Sequence, residues 1–148
     1  MTQAFVAPVP GRKPNWIWLA VVALVAFGLI SVLFWQRPRT TGSLPAEISV
    51  TQAAAMREKG SLLLDVREPD EWAESHVPGA THIPLGQLDA RIAELPRDQE
   101  IVVVCRSGGR SKSGRDILLK AGFGRVTSMT GGLTAWAAAG QPTVAGPQ

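Results

Sequence analysis

A single cysteine, Cys105, stands in a chain of 148 residues. It rules out an internal disulfide and any metal cluster built on cysteine ligands. Two histidines, His76 and His82, are too few to make a zinc site of their own. No metal site built on these residues is therefore expected. Internal repeats and low-complexity tracts are missing beyond residue 44, which leaves one compact unit of about a hundred residues there.

Charge is missing altogether from one stretch, Trp16 to Trp35 (WIWLAVVALVAFGLISVLFW). Twenty helical residues at about 1.5 Å each span about 30 Å, the thickness of a bilayer's hydrocarbon core. Tryptophans stand at both ends, where amphipathic rings favour the lipid–water interface. A buried core helix would carry a polar stripe, and this run offers only Ser31. A cleaved leader would be shorter and would end in small residues, whereas this run ends Phe34-Trp35-Gln36-Arg37-Pro38. The expected organisation is a tail (1–15), a single transmembrane helix (16–35) in contact with membrane lipid, a polar linker (36–44), an α/β domain (45–142) and a C-terminal tail (143–148).

The sequence pI near 9.6 might suggest nucleic acid, but its source is local. Arg12, Lys13, Arg37 and Arg39 flank the apolar run, and from Pro45 onward acids and bases nearly balance. A nucleic-acid partner is not expected. The same flanking charges almost tie the positive-inside count. The N-terminal amine tips it narrowly towards an internal N-terminus, which places the domain outside the cytoplasm; the opposite side suits a reduced thiol.

Within the domain, helix-like and strand-like patterns alternate. Ser49-Val-Thr-Gln52 has the form of a capping box, opening a helix through about Lys59 with Gly60 as its stop. Leu62–Val66, Ile101–Val104 and Arg125–Met129 read as short strands. Helices are expected at Asp70–Glu74 after Pro69, Gln87–Leu95, Ser111–Ala121 and Leu133–Ala139. Apolar strands separated by helices imply an open parallel sheet covered on both faces.

In such sheets ligands gather beyond the carboxyl ends of strands. Cys105 lies there, after the most strand-like segment, and leads into Arg106-Ser107-Gly108-Gly109-Arg110-Ser111. Adjacent glycines let a loop curl with its N–H groups inward, and the following helix adds its N-terminal dipole. Both favour a thiolate. Residues 105–126 hold six basic side chains against Asp116 alone, as an anionic substrate would require. A buried, inert cysteine ending a strand is the plain alternative.

The loop CRSGGRS resembles the active-site loop of rhodanese-type sulfurtransferases. Three further segments match that family in order: LLLDVREPDEWAESHVPGATHIP (62–84), AGFGRV (121–126) and TGGLTAW (130–136). The resemblance implies a rhodanese-like fold over about Ile48–Gln141 and a sulfane sulfur carried as a persulfide on Cys105. It also implies a small anionic donor such as thiosulfate or a persulfide, and a thiol or protein acceptor. Residues 106–111 would hold the substrate, with Arg110 framing the loop; Arg106 either attracts the substrate or is a solvated loop charge. Rhodanese-like phosphatases and arsenate reductases carry a loop one residue longer, so this one matches the sulfur type. Asp65 and Arg67 end a strand at the same edge, where they either organise the loop or form a structural pair. His76, His82, Trp72 and Trp136 read as packing residues. Ser75 stands where the family often has Gly. The domain is expected to be a monomer. The competing reading is a membrane-tethered module that docks a partner or holds sulfur without turnover.

Overall fold

The computed structural model describes Leu24 and residues 42–146. The expected transmembrane helix at 16–35 lies, apart from Leu24, outside the described residues, as do the N-terminal tail and most of the linker. Among the described residues no helix is long and apolar enough to cross a membrane.

Five parallel strands form one sheet: β1 (Glu47–Ile48), β2 (Leu62–Asp65), β3 (Thr81–His82), β4 (Ile101–Val104) and β5 (Val126–Met129). Their spatial order is β1-β5-β4-β2-β3. Parallel strands need crossovers, supplied here by α1 (Val50–Glu58), α2 (Pro69–Glu74), α3 (Leu88–Arg91), α4 (Gly109–Lys120) and α5 (Gly132–Ala138). The capping box at Ser49 is present: Gln52 N–H donates to Ser49 Oγ, and Ser49 N–H donates to Gln52 Oε1.

The central strand β4 is buried on both faces, as its four β-branched residues require. Its side chains alternate between two cores. Ile101, Val103 and Cys105 join Leu64, Val66, Leu88, Leu118 and Phe123 on the α3/α4 side. Val102 and Val104 join Leu63, Ala53, Met129, Leu133 and Trp136 on the α1/α5 side. Cys105 thus continues the pleat of a buried strand and projects towards α4.

Some expectations shift. The helix expected over Gln87–Leu95 is broken into a 3₁₀ turn at Leu85–Gln87, one turn of α-helix, and a second 3₁₀ turn at Ile92–Glu94. Helix α4 opens at Gly109, two residues before the expected Ser111. The two-residue strands β1 and β3 are too short to leave an alternating pattern in sequence. Val144, assigned to a C-terminal tail, pairs backbone to backbone with His76.

Helix α4 lies close to the sheet because position 114 is glycine. A Cβ there would stand 3.1 Å from Val103 Cγ1 and 3.4 Å from Val66 Cγ1. Gly114→Leu therefore overpacks this seam. The expected loss is about 1–3 kcal/mol, read as a lower denaturant midpoint with an unchanged slope.

Candidate active site

The carboxyl ends of β2 and β4 are neighbours, so the segments that follow them meet. The segment after β4 is the Cys105 loop. Gly108 adopts a left-handed conformation (φ 107°) and serves as the N-cap of α4. That bend turns the Gly108 N–H back onto Cys105 Sγ at 3.1 Å. Ser111, fully buried in the first turn of α4, donates its hydroxyl to the Gly108 carbonyl at 2.8 Å, while the thiol points at Ser111 Oγ, 3.7 Å away.

A second helix N-terminus completes the loop from outside. Leu133 N–H donates to the Cys105 carbonyl at 2.7 Å. Thr134 donates to the Arg106 carbonyl through its N–H at 3.1 Å and its hydroxyl at 3.0 Å. Each peptide unit is planar and trans, so a carbonyl turned outward sends the next residue's N–H the other way. Capping the carbonyls of 105 and 106 therefore aims the N–H groups of Arg106 and Ser107 into the loop. This contact depends on Gly132, whose hypothetical Cβ would stand 2.2 Å from the Cys105 carbonyl oxygen.

Cys105 is 1% exposed. Burial is the largest influence on its thiol and pushes the pKa up. The Ser111 and Gly108 N–H groups, the Ser111 hydroxyl and the Ser107 N–H together outweigh it, leaving the pKa below the ordinary thiol value.

The segment after β2 supplies a fixed charge frame. Asp65 and Arg67 are both buried, with Arg67 Nε and Nη2 on the carboxylate at 2.7–3.0 Å. The same guanidinium donates to the carbonyls of Glu71 at 3.0 Å and Ser75 at 2.6 Å. Arg67 thus holds α2 from its middle to its C-cap, and the pair does not bond the cysteine loop. Its connection to the loop runs through Glu71, which takes both terminal nitrogens of Arg110 at 2.6 and 2.8 Å. Arg110 is the main reason that the Glu71 carboxyl is held down to about 2. Arg110 thus stands beside the loop with its charge already met by a carboxylate.

His76 and His82 both pack against Trp72: each imidazole stacks on the indole, at 3.7 and 4.7 Å between centroids. His76 Nδ1 bonds the Trp72 carbonyl, and His82 Nε2 bonds that of Arg67. Trp136 is fully buried in the α1/α5 core, with its N–H on the Pro142 carbonyl.

Of the expected site residues, Cys105, Ser107, Gly108 and Ser111 meet around Sγ. Arg106 lies outside that cluster, exposed, on the rim of a cavity of about 220 Å³ that also touches Glu74, Ser75, Leu133, Thr134 and Ala137. Gly109 opens α4 and stands in open space. Sequence reasoning missed Glu71, taken only as a first-turn acid, and Thr134. The Gly131-Gly132 pair belongs to the TGGLTAW match, and nothing in that motif reveals the Cys105 and Arg106 carbonyls it approaches.

The lowered thiol pKa has a direct readout. Alkylation of Cys105 by iodoacetamide should rise with pH through a midpoint below that of a free cysteine. Ser111→Ala removes the hydroxyl that stands 3.7 Å from Sγ and helps to lower the thiol pKa, so its midpoint should move up; an unmoved midpoint would show that the hydroxyl does not act on the sulfur.

The sequence matches the description Rhodanese-like domain over residues 49–139. It is 42% identical over 84 residues to a sulfurtransferase of Allochromatium vinosum, covering 57% of this chain and 78% of that one. It is 38% identical over 85 residues to the thiosulfate sulfurtransferase GlpE of Pseudomonas syringae pv. syringae, covering 57% and 80% respectively. Among solved structures, a rhodanese-related protein from Thermoplasma volcanium superposes with a TM-score of 0.63 at 28% identity, over 68% of this chain and 98% of that chain. The strand order, the cysteine loop at the sheet's carboxyl edge and these matches converge: the chain belongs to the rhodanese-like domain family.

Proposed function

We propose that the domain is a sulfurtransferase that carries a sulfane sulfur on Cys105. The observation that carries this reading is the closed set of amides around a buried Sγ, 3.1 Å from the Gly108 N–H. Such a nest stabilises a thiolate and, equally, the negative sulfur of a persulfide. The named activities of the two relatives, a sulfurtransferase and a thiosulfate sulfurtransferase, agree with it.

The reaction is double displacement. The Cys105 thiolate attacks the outer sulfur of thiosulfate; the S–S bond of the donor breaks, and sulfite leaves with the electron pair. Cys105 then holds a persulfide anion. An acceptor thiolate attacks the outer sulfur, and the Cys105 thiolate departs with the pair from the bond that breaks. The enzyme returns to its starting state with no net oxidation. Neither metal nor organic cofactor is required by these steps.

The intact mass of the full chain after incubation with thiosulfate, without reductant, tests the first half. A gain of one sulfur atom is expected, absent in Cys105→Ser and reversed by added thiol. No adduct on a thiol that still alkylates would sink the thiosulfate reading. An adduct that no thiol discharges catalytically would instead favour the sulfur-holding module.

We further propose that residues 16–35 anchor the chain in a membrane as a single span, with the domain outside the cytoplasm. Support comes from the twenty-residue charge-free run and its terminal tryptophans. The full chain should stay with membranes through an alkaline carbonate wash, and deletion of 16–35 should release it. A reporter fused after Gln148 that works only in the cytoplasm would overturn the orientation.

A further inference from the structure

We propose that the cavity beside the cysteine loop binds the sulfur acceptor, and that the acceptor is a small zwitterionic thiol of amino-acid size. This rests on the sulfurtransferase reading and gives that site a partner. The cavity, about 220 Å³, opens between α2 and α5 next to Arg106 and does not include Cys105 in its wall. Its volume lies below the range of about 300–1,000 Å³ that drug-sized ligands occupy, so it suits a molecule of only a few heavy atoms.

The charges around it sort into spent and unspent. Arg67 is bound to Asp65, and Glu71 to Arg110. Two remain: Arg106 and Glu74 are exposed and, among the described residues, neither makes an ion pair. One positive and one negative group on the rim match a ligand carrying a carboxylate and an ammonium. Leu133 and Ala137 supply an apolar patch for its short carbon chain, and the Thr134 side chain stands beside them. Thiosulfate, a dianion, would meet the unpaired Glu74 carboxylate there and gain nothing from it.

In the transfer step the acceptor thiol loses its proton to water, and its thiolate attacks the outer sulfur of the Cys105 persulfide. The S–S bond to Cys105 breaks, Cys105 leaves with the electron pair, and the amino-acid persulfide departs. Arg106 and Glu74 are positioned to hold the two ends of the acceptor. They do not take part in the bond changes.

Binding can be read without any sulfur chemistry. The full chain in detergent micelles, titrated with S-methyl-L-cysteine, should show saturable shifts of the Arg106 and Thr134 amide resonances. Glu74→Gln and Arg106→Gln should each weaken this affinity about tenfold, the worth of one charge-assisted contact. Both side chains are exposed, so the fold should survive either change. The loaded protein should then be discharged faster by L-cysteine than by N-acetylcysteine or cysteamine at equal thiolate concentration. Glu74→Gln should erase the advantage over N-acetylcysteine, and Arg106→Gln the advantage over cysteamine. Absence of saturable shifts, or shifts that neither substitution weakens, would overturn the proposal. So would shifts produced by thiosulfate instead and strengthened by Glu74→Gln, which would assign the cavity to the donor. Failure of Cys105 to accept sulfur would defeat the sulfurtransferase reading, while the amide shifts would still judge the cavity.

Discussion

The site depends on two carbonyl groups facing the wrong way for a nucleophile's loop and the right way for its neighbour. Cys105 and Arg106 turn their oxygens onto the first N–H groups of α5, and so expose their loop's own N–H groups to the sulfur. Without that contact the loop would have two carbonyl dipoles to satisfy, and turning them inward would oppose the thiolate. Helix α5 is short, seven residues, but its N-terminus meets carbonyls rather than solvent. Gly131 and Gly132, at φ 77° and 56°, bring it close enough. One helix end therefore orients the loop from behind, while α4 offers its own N-terminus from the front.

Four of the charges at this edge, Asp65, Arg67, Glu71 and Arg110, are paired with one another before a substrate arrives. Arg67 of the buried Asp65–Arg67 pair holds the C-terminal half of α2, and Glu71 from that helix occupies Arg110. A guanidinium free to swing into the nest would bind any small anion and hold it. Committing Arg110 to Glu71 leaves stabilisation of the sulfur to the Ser111 hydroxyl and to backbone amides, whose positions are set by two helices and cost little reorganisation. Leaving either buried partner unpaired would be expensive, since an uncompensated buried charge costs several kcal/mol.

Much of this was legible in the sequence, and for identifiable reasons. β4 is four β-branched residues in a row, so the strand and the cysteine at its end announce themselves. The Ser49 capping box follows a local rule and is present as read. β1 and β3 were invisible because two residues carry no period, and they exist only through pairing with β5 and β2. The Gln87–Leu95 stretch has helical composition but breaks into single turns between Pro84 and Pro96. Glu71 was hidden for a different reason: its partner Arg110 lies 39 residues away, and only the adjacency of β2 and β4 brings them together. Placement of Cys105 needed one strand; placement of its supports needed the whole sheet order.

Burial of the sulfur fits a carrier better than it fits an ordinary nucleophile. At 1% exposure, Cys105 favours narrow reactants over wide ones, and the end of a sulfane chain is narrow. In the proposed reaction a persulfide would set the reactive atom about 2 Å further out, the length of one S–S bond. The group that meets the acceptor would then be the transferred sulfur, with the protein's own sulfur still within its amides. Bulky oxidants and electrophiles are disfavoured by the same enclosure, which matters for a chain whose single cysteine has no second thiol to resolve an unwanted product. The depth of Cys105, set by its place in the pleat of β4, therefore acts on selectivity as much as on stability.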